Sequence, residues 1–344
     1  MQLQVFSDSQ TSGHNTGFGH PERAERIAAF IEGLEAGGAS RTSFGLPRPA
    51  TFGEIISVHP RQYVETVERV CESLDGETVV DLPTGDTVVS HDSFAVALEA
   101  AGGALTAAAA ARIDQPALAV IRPPGHHAEP ARGMGFCVFN NVAIASAWAL
   151  KERGNVLIVD FDYHHGNGTQ AWVESVLAEG RGALGFVSSH AYPAYPGTGG
   201  FDESQIRNNG FVIDLPLSHA TDTDDFVALW AHVLLAAAEK IQPKSILVSA
   251  GFDFLAGDPI AGLPVAPRAV DALCGLLGEV GSHHNAPLAL VLEGGYSLDN
   301  LRTSGSSLAY DFGKHAPDVH VPDAKPLRDP RLHTMVEQVR NWLA

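Results

Sequence analysis

Asp160, Asp162 and His164 stand at alternate positions directly after the apolar run Val156–Val159. An extended backbone turns alternate side chains to one side, whereas a helix would scatter them. At that spacing Asp162 and His164 can grip one ion together. Asp253 follows a second apolar run, Ser245–Ser249, and could supply a third ligand. Two carboxylates and one imidazole suit zinc with a position left open for water, the layout of a catalytic rather than a structural site. The alternative is a loop of polar residues bonded to one another, and Asp253 taken alone fits either reading. His126 and His127 form a tandem pair after Pro123-Pro124-Gly125. Imidazole titrates near neutral pH, so the pair is a candidate for proton transfer, although a lone histidine is usually structural. Tyr296 follows Gly294-Gly295, where the backbone can approach a site closely. A phenol there could donate to a developing oxyanion, but the local sequence alone fits an ordinary half-buried tyrosine better.

Each of these clusters follows a short run rich in Val, Ile and Leu. The runs are Ala117–Ile121, Val156–Val159, Leu184–Ser188, Phe211–Leu215, Ser245–Ser249 and Leu288–Leu292. They do not alternate polar with apolar, as expected of strands buried on both faces of a parallel sheet. Helical spacing fills the intervals at Asn141–Arg153, Thr169–Glu179, Asp222–Lys240 and Pro267–Val280. Acidic residues open the Asp222 segment and Lys240 closes it, matching the helix dipole. Earlier in the chain, Pro21–Ala36 and Ser93–Arg112 read as helices and Leu82–Asp86 as a surface loop. Strands alternating with helices predict a doubly wound α/β fold. In such sheets ligands bind beyond the carboxyl ends of the strands, so the polar clusters should converge on one rim. No internal repeat, low-complexity tract or linker divides residues 1–344, which are expected to form a single domain.

Composition narrows the function classes. Lys and Arg total 22 against 40 Asp and Glu, a formal net charge of −18. That sign argues against non-specific nucleic-acid binding and would attract cationic substrates, although it also serves solubility alone. Cys71, Cys137 and Cys274 are odd in number and far apart, which suits buried thiols in a reducing compartment rather than disulfides or a thiolate zinc site. Met1–Ser9 lacks the pattern of a secretory signal, and no run of about 18 apolar residues suggests a membrane span. A cytoplasmic location, with no membrane and no nucleic acid as partner, is the expectation.

Together the motifs resemble the zinc-dependent histone deacetylase and acetylpolyamine amidohydrolase family of the arginase–deacetylase superfamily. The matching segments are 20–23, 122–128, 135–141, 160–170, 196–199, 249–253 with 257–259, and 293–296, in family order along most of the chain. Asn167 looks like class II deacetylases and bacterial relatives, since class I members usually carry Asp there. The resemblance implies an α/β arginase–deacetylase fold, with a central, mostly parallel sheet of about eight strands, helices on both faces and the active site at the strands' C-terminal ends. It implies that Asp162, His164 and Asp253 bind zinc, which would polarise the acetyl carbonyl and acidify a water. His127 would be the general base and then protonate the leaving amine, with His126 as its electrostatic partner. Asp160 would orient His126 and Asn167 would contact His127, a neutral Asn leaving that imidazole less basic than an Asp would. Tyr296 would stabilise the oxyanion. Potassium near the zinc is also implied, held by Asp160, the backbone carbonyls of Asp162 and His164, and Ser188.

The same resemblance supplies a substrate channel. Phe136 and Tyr195 match the aromatic walls of a narrow tunnel, suited to the apolar stem of an acyl-lysine. Gly135 matches a position whose carbonyl faces the substrate. Arg23 matches a basic residue near the acetate exit, and Asp86 a rim carboxylate that binds the substrate backbone. Ile260 stands where polyamine-specific relatives carry a Glu, which favours an acetylated lysine peptide over a small acetylated amine. Homo-oligomerisation is left open. Two rivals remain: a two-manganese enzyme of the same fold, and a non-catalytic acyl-lysine binding protein. His126, His127 and Tyr296 argue against the first, and retention of every ligand and of the base argues against the second.

Overall fold

Val, Ile and Leu runs become the strands of one twisted sheet. The computed structural model describes residues 3–7, 13–41, 44–313 and 326–344. Its strands are β1 (Gln4–Ser7), β2 (Val80–Asp81), β3 (Val88–Val89), β4 (Ala117–Val120), β5 (Val156–Asp160), β6 (Leu184–Ala191), β7 (Gln205–Arg207), β8 (Gly210–Leu217), β9 (Ser245–Ala250) and β10 (Leu288–Leu292). The helices are α1 (Glu25–Ala36), α2 (Phe52–Ile55), α3 (Arg61–Glu72), α4 (Ser93–Ala110), α5 (Asn141–Glu152), α6 (Asn167–Ala178), α7 (Thr223–Ile241), α8 (Arg268–His283), α9 (Leu298–Gly313) and α10 (Pro330–Leu343). The eight-stranded sheet runs β1-β4-β10-β9-β5-β6-β8-β7. Every neighbouring pair is parallel except β7, which lies antiparallel on the β8 edge. The short antiparallel pair β2 and β3 stands apart and carries the Leu82–Asp86 loop.

Burial on both faces explains why the strand sequences show no alternation. Leu157 and Val159 of β5 point into a core shared with α1 and α7 to α10, while Val156 and Ile158 point into a second core shared with α2 to α6. Both faces are apolar, so a period of two exists in the structure but not in the letters. Helix ends follow local signals. Asp222 caps α7 by accepting from the backbone N–H of Asp224 and Asp225, and Asn140 caps α5 through Ala143 N–H.

The helix α4, with mean hydropathy 1.4, is long and apolar enough to cross a membrane by length and composition alone. Ser93, Glu99 and Thr106 interrupt its letters, so the helix holds no unbroken apolar run of that length. It packs against α5 and against β1, β4 and β10, as an interior helix does. The elements β1, α3, α9 and α10 escaped the sequence reading because each is short or carries many polar residues. Tertiary packing of a single apolar stripe decides such segments.

The site's position follows from strand order. From β5 the chain moves outward to β6, whereas from β9 it moves the other way to β10. The connections diverge between β5 and β9, and such a switch point opens a crevice beyond the strand ends. Because adjacent β5 residues serve opposite cores, Leu157→Ala and Ile158→Ala should each destabilise the fold by roughly 2–5 kcal/mol in urea unfolding. A neutral result for either would contradict burial on both faces.

Candidate active site

Where β5 ends, its last residue Asp160 pairs in register with Ser188 of β6 and Ser249 of β9. The chain then leaves the sheet and folds back on its own carboxylates. Asp160 Oδ1 accepts Asp162 N–H at 3.1 Å, and Asp162 Oδ1 accepts His164 N–H at 2.9 Å. From the end of β9, Asp253 Oδ1 accepts Tyr163 N–H at 2.9 Å. Its Oδ2 lies 2.9 Å from His164 Nδ1, and Asp162 Oδ1 lies 3.2 Å from the same nitrogen. Asp162, His164 and Asp253 therefore bring their ligand atoms within 4.8 Å of one another. Asp162 and Asp253 are buried and His164 is nearly so. Gly251 makes this packing feasible: a Cβ there would overlap the Asp162 carboxylate.

The electrostatics call for a cation. Burial, followed by the charge of Asp162, pushes the Asp253 carboxyl up to about 7. Burial works against a charged His164, yet the hydrogen bonds and charges of Asp162 and Asp253 outweigh it and raise that imidazole to about 10. Two carboxylates in a low-dielectric pocket hold positive charge strongly. The donor set fits a metal: ligands about 2.0–2.1 Å from a tetrahedral ion lie about 3.3 Å apart, close to the spacings around His164 Nδ1. Among the described residues this trio is the metal-ligand group at the mouth of the β5–β9 crevice.

Beside it stand the two histidines. His126 Nδ1 lies 3.0 Å from Asp160 Oδ2, and burial of the ring is outweighed by the charges of Asp162 and Asp160, raising it to about 10. His127 is opposite in character. Burial, and then the charges of His126 and His164, hold it well below the ordinary imidazole value. Its Nδ1 lies 2.8 Å from Asn167 Oδ1, and the Asn167 amide nitrogen donates to Glu129 Oε1 at 2.9 Å. That chain of donors assigns the proton of neutral His127 to Nδ1 and leaves a lone pair on Nε2. The rings of His127 and His164 are 5.8 Å apart.

Aromatic residues line the approach. Tyr195 meets His127 edge-on at 5.2 Å, and Phe136 meets Tyr296 edge-on at 5.9 Å. Phe136 has a left-handed backbone, φ 68°, directly after Gly135 at φ 56°. Two such residues in sequence form a tight bend, and Asp86 pins it by accepting Gly135 N–H at 2.9 Å. Asp86 also accepts from the Tyr195 hydroxyl at 3.0 Å, so this rim carboxylate ties both sides of the approach together. Tyr296 is buried, and burial raises its phenol well above the usual value, so it stays protonated. Ser188 is buried beside Asp160, its hydroxyl 2.9 Å from His190 Nδ1. Ile260 is exposed on the loop anchored by Asp258, whose carboxylate accepts the N–H groups of Tyr296 and Ser297.

Arg23 is not part of this assembly. It lies exposed ahead of α1, and Arg26, three residues on, takes the buried place instead. Arg26 donates to the carbonyls of Gly295 and Glu293 at 2.6 and 2.5 Å, and its guanidinium lies 5.0 Å over the Tyr296 ring. The first turn of α1 faces inward at residue 26, whereas residue 23 precedes the helix.

Residues 20–310 match the histone deacetylase domain. This chain belongs to the histone deacetylase family. It is 33% identical over 320 residues to histone deacetylase 10, chloroplastic, of Oryza sativa subsp. japonica, covering 87% of this chain and 71% of that protein. A probable deacetylase of Archaeoglobus fulgidus is 35% identical over 288 residues, covering 81% and 77%. The crystal structure of the HDA15 HD domain superposes with a TM-score of 0.83 at 28% identity, covering 99% of this chain and 94% of that one. Family membership and the deacetylase names of these relatives support a deacetylase hydrolase.

Within this histone deacetylase fold, several supporting residues have roles that the sequence did not assign. Glu293 is buried and accepts the N–H groups of Gly125 and His126 at 2.6 and 3.2 Å, fixing the histidine loop. His165, His190 and Asp214 form a second buried cluster. All four ring nitrogens there have partners: Thr198 Oγ1 and Gln170 Oε1 for His165, Ser188 Oγ and Gly199 O for His190. The cluster thus props the 196–199 loop, and with it Tyr195, against the strand ends. Glu22 is fully buried between Arg26 and Arg122. Burial pushes its carboxyl up, but the charge and hydrogen bonds of Arg122 outweigh this and hold it at about 2. That contribution is complete above the usual carboxylate range near 4.5 and is lost as pH falls through about 2. Glu22→Gln should therefore cost roughly 3–5 kcal/mol at neutral pH, because two buried guanidinium groups lose their counter-charge. The loss should shrink toward pH 2 in thermal unfolding; a pH-independent difference would show that charge is not the cause.

Proposed function

We propose that this protein is a zinc-dependent deacetylase that hydrolyses the amide of an acetylated lysine side chain or a related acetylated amine. The observation that carries the reading is the meeting, in one crevice, of three metal-ligand atoms with a neutral imidazole that has a free lone pair. Asp162, His164 and Asp253 would hold the zinc. Bound there, it would polarise the acetyl carbonyl and lower the pKa of a water.

Every other step falls to the chain's own groups. His127 Nε2 takes a proton from the attacking water and later delivers it to the leaving amine. Asp160 orients His126, and Asn167 keeps the His127 proton on Nδ1. The protonated Tyr296 phenol donates to the carbonyl oxygen as charge builds on it. Phe136 and Tyr195 would flank the methylene stem of the substrate, with the Gly135 carbonyl beside it. Asp86 would meet the substrate backbone at the rim. Asp160 and Ser188, with the backbone carbonyls of Asp162 and His164, would hold potassium beneath.

Substrate choice rests on the rim. An exposed Ile260 offers no charge to a distant ammonium, which favours acyl-lysine over a polyamine. The net charge of −18 favours basic peptides and disfavours nucleic acid. A cytoplasmic setting belongs to the same proposal.

Tyr296→Phe should retain bound zinc and lose about 10²- to 10³-fold in kcat on an acetyl-lysine peptide. Unchanged turnover would remove the phenol from the mechanism. Chelation should abolish activity, and one equivalent of zinc should restore it; full activity in the metal-free protein would defeat the proposal. Asn167→Asp places a carboxylate on His127 Nδ1 and raises its pKa. Because the base must be neutral, the acid limb of kcat/KM should move to higher pH. A limb that stays in place would separate His127 from the titrating step.

A further inference from the structure

Outside the active site, Glu239, His283 and His284 come together on the surface. Glu239 lies in the last turn of α7, and His283 is the last residue of α8, with His284 following it. These helices lead into β9 and β10, so the cluster sits at the amino ends of the strands, opposite the catalytic rim. Consecutive residues inside a helix diverge by about 100°. Here the helix stops: Asn285 adopts a left-handed backbone, φ 51°, and Ala286 N–H returns to Gly281 O at 2.8 Å. At that end both imidazoles can face the same carboxylate. His283 Nε2 is 3.3 Å and His284 Nε2 3.9 Å from Glu239 Oε1.

Further observations point to an ion. The His284 side chain is only 4% exposed, and its Nε2 is buried without a hydrogen-bond partner. Burial, opposed by the charge of Glu239 and helped by those of His283 and Lys244, lowers its pKa. Glu239 Oε2 is engaged by Gln242 Nε2 at 3.4 Å, which leaves Oε1 for the histidines. Both helices end here, and their carbonyl ends favour positive charge. The spacings are close to the roughly 3.3 Å between ligands of a tetrahedral ion with bonds of about 2.0–2.1 Å.

We propose that Glu239, His283 and His284 form a second metal site, for zinc or a neighbouring divalent first-row ion, that clamps the carboxyl end of α7 to that of α8. Two imidazoles and a carboxylate are a typical donor set for such ions, and water would complete the coordination. The site does not depend on the catalytic reading. The nearby Lys244 ammonium should make it weaker than the buried trio.

Equilibrium dialysis of the zinc-loaded protein against Zn²⁺, with metal analysis, tests this. Wild type should take up one ion beyond the one held by Asp162, His164 and Asp253. Glu239→Gln and His284→Ala should each weaken that second uptake by at least about tenfold, with deacetylase turnover unchanged. Glu239→Gln alters an exposed side chain, so it tests the site without disturbing the fold. Asp253→Asn should do the converse, losing the catalytic ion and keeping this one. A wild type that takes up no additional ion at millimolar zinc, or variants that retain it with unaltered affinity, would overturn the proposal.

Discussion

Two carboxylates, Asp162 and Asp253, face one imidazole in a largely buried pocket, and the rest of the molecule is arranged around that confrontation. Like charges in a low-dielectric space repel, and each has lost its water. The arrangement persists because every carboxylate oxygen has a designated partner. Asp162 accepts from His164 and Gly294, Asp253 from Tyr163 and His164, and Asp160 from Asp162 and His126. What remains is a net demand for positive charge, which an imidazolium or a metal ion can meet.

Meeting that demand needs rigid walls, and the parallel sheet supplies them. Strands covered on both faces cannot shift without disturbing two cores at once. Divergent crossovers at β5 and β9 leave open a stretch of rim where backbone N–H groups and side chains from the ends of β4, β5, β9 and β10 can converge. Glu293 and Arg26 then stitch the β10 loop to the histidine loop and to α1. Both are buried polar side chains that hold backbone, and the Glu22–Arg122 pair extends the same device outward. Environment also separates the two neighbouring histidines. Asp162 and Asp160 hold His126 charged, while burial and the charges of His126 and His164 keep His127 neutral. Adjacent residues of one chemical type thus acquire opposite electrostatic character.

Much of this was legible in the letters. The alternating Asp160, Asp162 and His164 after an apolar run, the six strands and the helices between them all rest on local spacing, which a chain displays without folding. Strand-end convergence follows from connection rules that need only the order of elements. The tandem histidines and the tyrosine after two glycines were visible as candidates from spacing, whereas Asp160 and Asn167 as the histidines' partners came only from the family resemblance.

By itself the sequence determined that the chain builds a parallel α/β sheet and that acids and imidazoles crowd its carboxyl edge, because periodicity and contiguity are local properties. Only the tertiary structure decided that Asp253 shares a pocket with residues some ninety positions earlier. It also decided that Arg26 rather than Arg23 turns inward, that Asp86 bridges Gly135 to Tyr195, and that Glu239 meets His283 and His284 across two helix ends. Those choices depend on burial, charge and distance between remote segments, and these quantities come into being only when the cores close.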